Sequence, residues 1–255
     1  MCIRDRDSDY PQLLKSALAS NQRPPVLFYA GDLHILDLMT IAIIGSRKAE
    51  EASLAFTRCV AEYLAEQGAN VTSGNARGVD RAAFEGAINT YGCTTVILPE
   101  GILRLGATQR RELQPRIEAG NVLLLSQFHP RASWTVSRAM ERNNVVTGLA
   151  QVVIVAQSNI QGGTWNAANG ALKQHRPVYV RQAESSEPAG NQALIELGGR
   201  PLAWSANGHT EGEPLLEDVM SPLLEESEML YHRGNHNQAL LSQLSHLLKE
   251  HRISL

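Results

Sequence analysis

Two short glycine-containing segments each carry one arginine and have the composition of phosphate-binding loops. They are Gly45, Ser46 and Arg47 in the first segment, and Gly74, Arg77 and Gly78 in the second. Glycine lets backbone N–H groups approach an anion closely, and guanidinium can bind phosphate through two hydrogen bonds. Neither segment matches the G-x-G-x-x-G or Walker A pattern. The spacing alone therefore leaves a second interpretation open, in which the glycines only turn the chain and the arginines are solvated.

A strand before each segment and a helix after it would position these residues. Ile41 to Ile44 form a continuous apolar run, typical of a parallel strand buried on both faces, and Asn70 to Ser73 form the next strand. A helix that ends near Gly68 lies between them, and a second helix begins at about Asp80, whose carboxylate fits the N-cap position. Each segment thus precedes a helix N-terminus, where the helix dipole favours an anion.

The rest of the central sequence continues to alternate strands with helices. Further strands are predicted at 94–98, 121–126, 151–156 and 177–180, and further helices at 143–150 and 163–175. This pattern indicates an α/β fold with an extended Rossmann-like, doubly wound, mostly parallel sheet and helices on both faces. Ligands bind such sheets at the carboxyl ends of the strands, where both glycine segments lie.

Two polar stretches follow strands at the same edge of the sheet. Residues 102–120 are rich in arginine and are predicted to be partly helical. Gln127 to Glu141 shows no clean helical period and carries Arg131, Trp134 and Arg138. We interpret this second stretch as a long functional loop, because binding residues are often carried by loops on a rigid scaffold.

Changes in composition divide the sequence into four parts. They are a disordered or artefactual N-terminus at 1–9, whose MCIRDR start resembles a spurious translated end, an extension at 10–40 that packs on the main domain, a Rossmann-like domain at 41–201, and an acidic helical tail at 202–255. In the extension, VLFYA is predicted to be a short edge strand. In the tail, helices are predicted at about 223–231 and 238–251, the second with one leucine-rich face.

Charge is distributed unevenly along the chain. The net charge is −3, but residues 41–182 carry 15 basic and 10 acidic residues, a net +5, while residues 183–255 carry 4 basic and 11 acidic, a net −7. A basic central domain favours a polyanionic ligand, although an ordinary excess of solvated arginine would give the same balance.

The sequence also indicates the cellular compartment of the protein. Its three cysteines form no CxxC pair and no disulfide framework, as expected in a reducing compartment. The longest aliphatic runs are far too short to span a bilayer, and no apolar signal segment opens the chain. We expect a soluble cytoplasmic protein without membrane contact.

Patterns of catalytic or metal sites are missing from the sequence. It contains no GxSxG or HExxH motif, and Glu100 has no evident acid–base partner. His232 and His236 are one helical turn apart, but Gly234 lies between them and no third ligand is clustered nearby. We therefore predict no metal, no cofactor and no catalytic residue.

An ordered set of motifs resembles the DNA-processing protein A family, also called Smf. The matching pieces are YPQLL from Tyr10, PPVLFYAGD at 24–32, IAIIGSR at 41–47, SGNARGVDRAAFEGA at 73–87, LLLSQF at 123–128, ERNNVVTGLA at 141–150, GGT at 162–164 and NQALIELGGRP at 191–201. The resemblance implies an extended Rossmann fold, a homodimer, and binding of single-stranded DNA without strong sequence preference. It also implies loading of a RecA-type recombinase onto DNA during natural transformation.

The resemblance further implies which residues bind DNA. By position, Arg47, Arg142 and Asn143 would line the groove beside both glycine segments, together with Arg138 and with Gly162, Gly163 and Thr164. Backbone amides and arginines that track phosphates give salt-dependent binding. From the sequence we expect Arg47→Ala and Arg142→Ala each to weaken binding without affecting folding.

The sequence departs from the family pattern at three places. The usual FPxRNR reads AMERNN at 139–144, the usual GCG-type turn is PEGILR at 99–104, and the usual AVPG is replaced by YVRQ at 179–182. These departures concern DNA affinity more than the fold.

A second family on the same fold offers a competing function. The lysine-decarboxylase-like (LOG) phosphoribohydrolases carry PGGxGTxxE, with a catalytic glutamate. Here QGGTWNA at 161–167 has no glutamate after Thr164, so a hydrolase is not expected. A nucleotide sensor using the same cleft, and a protein with only a structural or interaction role, stay open, because phosphate loops do not distinguish a mononucleotide from a strand.

Overall fold

The computed structural model describes residues 1–182, 188–203 and, between 220 and 233, all residues except 222 and 227. The strands are β1 Cys2–Arg4, β2 Val26–Ala30, β3 Thr40–Gly45, β4 Asn70–Gly74, β5 Thr94–Ile97, β6 Val122–Ser126, β7 Val152–Gln157, β8 Val178–Gln182 and β9 Arg200–Ala203. The α-helices are α1 Gln12–Ala17, α2 Glu51–Glu66, α3 Val79–Asn89, α4 Ala107–Glu118, α5 Val136–Gly148, α6 Gly163–Lys173 and α7 Ala189–Glu196.

All nine described strands form one sheet in the order β1-β2-β6-β5-β4-β3-β7-β8-β9. The run from β6 to β9 is parallel, while β2 pairs antiparallel with both β1 and β6. This confirms the predicted doubly wound, mostly parallel α/β fold. The chain starts the parallel region at β3, builds outward through β4 to β6, and then returns to add β7 on the other side of β3.

The strand β3 shows why the sheet has helices on both faces. Its side chains alternate: Ile41 and Ile43 pack with Phe56 of α2 and Val79 of α3, whereas Ala42 and Ile44 belong to a second core on the opposite face. All four are buried. A strand buried on both faces needs apolar residues at every position, which is why this stretch is continuously apolar.

The reversal of strand order places a crevice at the carboxyl ends of β3 and β7. These two strands are neighbours, but the chain leaves β3 through α2 toward β4 and leaves β7 through α6 toward β8. The α2 and α6 connections therefore diverge, and ligands of doubly wound sheets bind in the crevice between such connections. The candidate site lies at this edge.

The N-terminal residues are ordered where the sequence predicted disorder. Strand β1 pairs with β2 through Ile3 opposite Leu27, and Ile3 is buried. The N-terminal amino group donates to the carbonyl oxygen of Tyr29 at 2.9 Å. The prediction of disorder at Cys2–Arg4 is therefore wrong, and the VLFYA strand β2 lies second from the edge rather than at it.

The prediction of a long loop over residues 127–141 is wrong at its C-terminal end, because α5 begins at Val136. The Thr135 hydroxyl caps the helix by accepting the backbone N–H of Arg138 at 3.1 Å. The buried face of α5 contains Ala139, Arg142 and Val145 at helical spacing. The helical spacing of apolar residues was not evident in the sequence, because the charged Arg142 occupies one of the buried positions.

Strand β9 was not predicted, and it crosses the proposed domain boundary at 201. It extends the sheet beside β8, with Leu202 buried. The described residues of 220–233 are helical, and Met220 and Leu223 pack into the same core as Leu202. Part of the acidic tail thus packs on the sheet, while the helix predicted at 238–251 lies outside the described residues. Within the described part of the chain, no helix is long and apolar enough to cross a membrane.

Candidate functional site

The two glycine segments touch each other at the carboxyl edge of the sheet. The backbone N–H of Val79, at the start of α3, donates to the carbonyl oxygen of Ser46 at 3.2 Å. Gly78 has a φ of 74°, and a Cβ there would overlap the backbone of Ser46 and Arg47. Only glycine allows this approach, so the two segments form one continuous surface.

This contact gives a prediction for Gly78→Ala. The left-handed backbone costs about 1–2 kcal/mol for a residue with a Cβ, and the overlap with Ser46 adds to that cost. We expect a loss of more than about 2 kcal/mol in the free energy of unfolding, measured by denaturant titration. Gly120→Ala is the matched control, because Gly120 has a φ of 80° but open space around it. Equal losses of unfolding free energy in the two variants would show that the close approach of Gly78 to the backbone of Ser46 and Arg47 does not contribute to stability.

The first segment is also fixed to the end of β7 by Gln157. Its carbonyl oxygen accepts the backbone N–H of Ser46 at 2.9 Å, and its side-chain oxygen accepts the N–H of Glu50 at 2.8 Å. The Ser46 hydroxyl accepts the N–H of Lys48 at 3.1 Å. Gln157 was not among the predicted site residues, although its position at the end of a strong strand beside the crevice was visible in the sequence.

Arg47 and Arg77 are both exposed, so their guanidinium groups face the solvent above the joined segments. The guanidinium carbon of Arg47 lies 5.7 Å from the ring centroid of Trp134, as in a cation–π contact. Trp134 remains 45% exposed. The predicted site did not include Trp134, because only the fold brings the 127–135 segment beside the end of β3.

Arg142 does not line an open groove, and this corrects the sequence-based assignment. It is only 3% exposed, and its Nη1 lies 3.7 Å from Oδ2 of Asp80. A Cβ on Gly74 would overlap this guanidinium group, so Arg142 passes directly beneath the end of β4. Its role here is to support the second glycine segment from below.

Asp80 is the buried partner of Arg142 and is not an N-cap residue. Gly78 occupies the N-cap position of α3, and the Asp80 carboxylate accepts the backbone N–H of Ala76 at 3.3 Å. Burial raises the pKa of Asp80, while Arg142 and Arg47 act to lower it. Burial likewise lowers the pKa of Arg142, and Asp80 opposes that shift. Each charge is therefore kept in the interior mainly by the other.

Asn143 connects α5 to the third glycine segment, Gly162 to Thr164, at the start of α6. Its side-chain amide donates to the carbonyl oxygen of Gly163 at 3.3 Å. Gly162 has a φ of 105° and occupies the N-cap position of α6. Because α6 follows β7, this segment lies at the same edge of the sheet as the other two, and its helix N-terminus faces the crevice.

Arg138 stabilises the 128–135 segment rather than standing free. Its guanidinium group donates to the carbonyl oxygen of Ser133 and lies 5.7 Å from the ring centroid of Phe128. The predicted residues thus divide into two groups. Arg47, Arg77 and the glycine segments face the crevice, whereas Arg142 and Asn143 support glycine segments and Arg138 supports the 128–135 segment.

The side chains of the described residues suggest no metal centre, because no cluster of three or more histidine, cysteine, aspartate or glutamate residues could hold an ion there. Of the histidine pair considered from the sequence, His236 lies outside the described part of the chain. The edge of the sheet presents an exposed cationic and aromatic surface, formed by Arg47, Arg77 and Trp134, which can bind an anion.

Similarity to solved structures extends over most of the chain. DNA processing protein A from Streptococcus pneumoniae superposes with a TM-score of 0.71 and 26% identity, covering 79% of this chain and 70% of that one. A structure of DNA processing protein A from Helicobacter pylori, solved to explain its single-stranded DNA binding mode, has a TM-score of 0.71 and 25% identity, covering 89% and 96%.

Sequence comparison gives the same result. The chain is 29% identical to protein Smf of Escherichia coli over 217 residues, which cover 84% of this chain and 55% of that protein. The chain thus spans about half the length of this relative. The family model of DNA recombination-mediator protein A matches residues 1–210. Together with the nine-stranded fold, this match shows that the chain belongs to the DNA recombination-mediator protein A family.

Proposed function

We propose that this protein binds single-stranded DNA at the carboxyl edge of β3 and β4 and acts in DNA recombination without catalysing a reaction. The observation that carries the proposal is the contact between Arg47 and Trp134, both exposed, above two joined glycine segments. Nonspecific single-strand binding needs two things: cations that follow the phosphates, and aromatic rings on which the bases stack. Both are adjacent here.

The phosphate-binding part consists of the exposed side chains of Arg47 and Arg77. A carboxylate at this position would repel phosphate, and Asp80 lies directly below. Its pairing with Arg142 in the interior removes that repulsion, which leaves the exposed arginines as the dominant charges of the two segments. The N-terminus of α3 adds a favourable dipole.

The base-binding part is Trp134. Stacking of a base on an aromatic ring is tolerant of sequence, because every base has a π face. A duplex keeps its bases stacked inside, so Trp134 favours a single strand over a duplex. The Arg47 guanidinium lies against the same ring and can bind the adjacent phosphate, so both contacts would belong to one nucleotide unit.

Fluorescence anisotropy of labelled oligo-dT at several salt concentrations tests this proposal. We expect binding whose logarithm falls with the logarithm of salt at a slope of about −0.7 per phosphate contact, with weaker binding of a duplex of equal length. Absence of binding at low salt would overturn the proposal. A competition arm with mononucleotides distinguishes the nucleotide sensor, which would bind the mononucleotide as tightly as the strand.

Two finer proposals follow from the family and concern partners. The first is that the protein helps to load a RecA-type recombinase onto single-stranded DNA, which an ATPase assay on DNA coated with single-strand-binding protein would test. The second is that it forms a homodimer, which light scattering at micromolar concentration would test. Recombinase activity that is unchanged by the protein, or a monomeric mass throughout, would contradict the respective proposal.

A further inference from the structure

A second group of exposed arginines lies at the same edge of the sheet, beyond β5 and β6. We call Arg104, Arg111 and Arg131 the arginine rim. All three are exposed, and within the described residues their guanidinium groups make no hydrogen bond or ion pair, although the backbone N–H groups of Arg104 and Arg131 are bonded. Because these three guanidinium groups have no partner within the described structure, they are available to bind an external anion.

Two loops tied together carry the rim. The backbone N–H of Gly101 donates to the carbonyl oxygen of Ala132 at 2.9 Å, and that of Leu103 donates to the carbonyl oxygen of Pro130 at 2.9 Å. The Ser126 hydroxyl donates to the carbonyl oxygen of Glu100 at 2.7 Å. These bonds hold the loop after β5 against the loop after β6, so Arg104 and Arg131 belong to one rigid surface.

The helix α4 adds the third member. It begins at Ala107, directly after the loop that carries Arg104, and Arg111 lies in its first two turns. The neighbouring Arg110 is not counted in the rim, because its guanidinium group donates to the carbonyl oxygen of Leu105 at 3.1 Å. The first turn of α4 contains no acidic residue, so its N-terminus adds to the positive potential of the rim.

The carboxylates near the rim do not cancel its charge. The charge of Glu112 is compensated by Arg81 at 2.6 Å, whereas Glu141 accepts only the neutral side-chain amide of Gln127 at 2.6 Å and keeps its charge. Glu100 is half-buried, and burial raises its pKa, which the nearby Arg104 opposes. The three guanidinium groups of the rim outnumber the carboxylates near it that have no cationic partner, so the rim stays cationic at neutral pH.

The rim continues directly from the candidate site. Ala132, which bonds Gly101, is two residues before Trp134, which contacts Arg47. Neighbouring strands are about 4.8 Å apart, so the carboxyl ends of β3 and β6 are separated by about 14 Å across β4 and β5. A stacked single strand places one phosphate about every 3.4 Å, so this distance corresponds to about four nucleotides.

We infer that the arginine rim is a second phosphate-binding surface, which extends the path of single-stranded DNA from Trp134 across the carboxyl ends of β4, β5 and β6. The inference rests on the proposed function, because it takes the Arg47 and Trp134 site as one end of the path. It assigns the strand a direction along the sheet edge, toward α4 and away from α6.

Anisotropy with labelled oligo-dT of about 2 nucleotides, too short to reach from Trp134 to the rim, and of about 16 nucleotides tests the inference. The variants are Arg104→Gln, Arg111→Gln and Arg131→Gln, singly and combined. Arg116→Gln is the matched control, because Arg116 lies in the last turn of the same helix, at the opposite edge of the sheet. Each substitution replaces a guanidinium group with a shorter, uncharged amide and so removes one charge, and circular dichroism confirms that the variants fold.

For the long oligonucleotide, we expect each rim variant to reduce the salt slope by about 0.7 and the triple variant to reduce it by about 2. The triple variant should then bind about a hundredfold more weakly at about 0.1 M salt. Binding of the short oligonucleotide should change much less, and Arg116→Gln should bind both normally. Normal affinity and slope of the folded triple variant for the long oligonucleotide would overturn the inference and leave the proposed function standing. If the unmodified protein bound neither oligonucleotide, the proposed function itself would fail.

Discussion

Arg142→Ala is expected to lower the free energy of unfolding by about 3–5 kcal/mol, the largest effect of any change considered. The substitution leaves Asp80 as an unpaired carboxylate that is 8% exposed, beneath the joined glycine segments. It also removes the group on which Gly74 rests. Denaturant titration followed by circular dichroism measures the loss. The structure therefore replaces the sequence-based expectation that this variant would fold normally.

The pH dependence of this loss identifies its cause. Arg142→Ala removes the charge that lowers the pKa of Asp80 most, so the folded-state pKa rises further above the ordinary value of 3.8. A group with a raised folded pKa loses its stabilising contribution as pH rises through that pKa. The difference in stability between the variant and the original protein should hence be largest at neutral pH and shrink as the solution is acidified and Asp80 becomes protonated.

A second substitution serves as the control. Asp80→Asn combined with Arg142→Ala removes both charges, and the pH-dependent part of the loss should disappear. If Arg142→Ala is as stable as the original protein, or if its loss is independent of pH, then the buried pair does not support the site in the way described.

Arg47→Ala and Trp134→Ala should each weaken binding of single-stranded DNA strongly while leaving stability unchanged, because both side chains are exposed. Loss of a stacked base costs about 1–3 kcal/mol, which corresponds to a factor of about 5 to 150 in affinity. Only Arg47→Ala should also reduce the salt slope, by about 0.7, since Trp134 carries no charge. Anisotropy at several salt concentrations separates the two contributions.

Because Arg47 lies against the Trp134 ring, the two losses should not be additive. The double variant should lose less affinity than the two single losses combined. Lys173→Ala is the control for a lost surface charge, as Lys173 is exposed in the last turn of α6, at the opposite edge of the sheet. Trp134→Phe should retain most of the affinity. Strictly additive losses would show that the two side chains do not act on one nucleotide.

The fold could be predicted from the sequence because its signals are local. The apolar run of β3, the glycine turns and the alternation of strands with helices each depend on a few neighbouring residues. Strand β1 escaped prediction because a three-residue strand carries almost no periodicity, and its order depends on pairing with β2. The start of α5 was missed because Arg142 interrupts an otherwise apolar face.

The candidate site could be predicted only in part for a related reason. The sequence located Arg47, Arg77 and the glycine segments at one edge, since strand ends meet there in any doubly wound sheet. It could not show that Arg142 is buried, because charged residues are normally at the surface unless a distant partner compensates them. Nor could it show the contact of Trp134 with Arg47, which depends on how the loop after β6 folds back over the sheet.

The pair of Asp80 and Arg142 also has a consequence for the order of folding. Asp80 belongs to α3 on one face of the sheet, Arg142 belongs to α5 on the other, and they meet past the end of β4. Neither helix can complete the contact until both layers have docked on a finished sheet. The proposed binding surface should therefore be among the last parts of the molecule to fold, and partly folded chains would not bind DNA. Pulse-labelled hydrogen exchange during refolding should show the amide of Ala76, which bonds Asp80, gaining protection after the amides of β3 and β4.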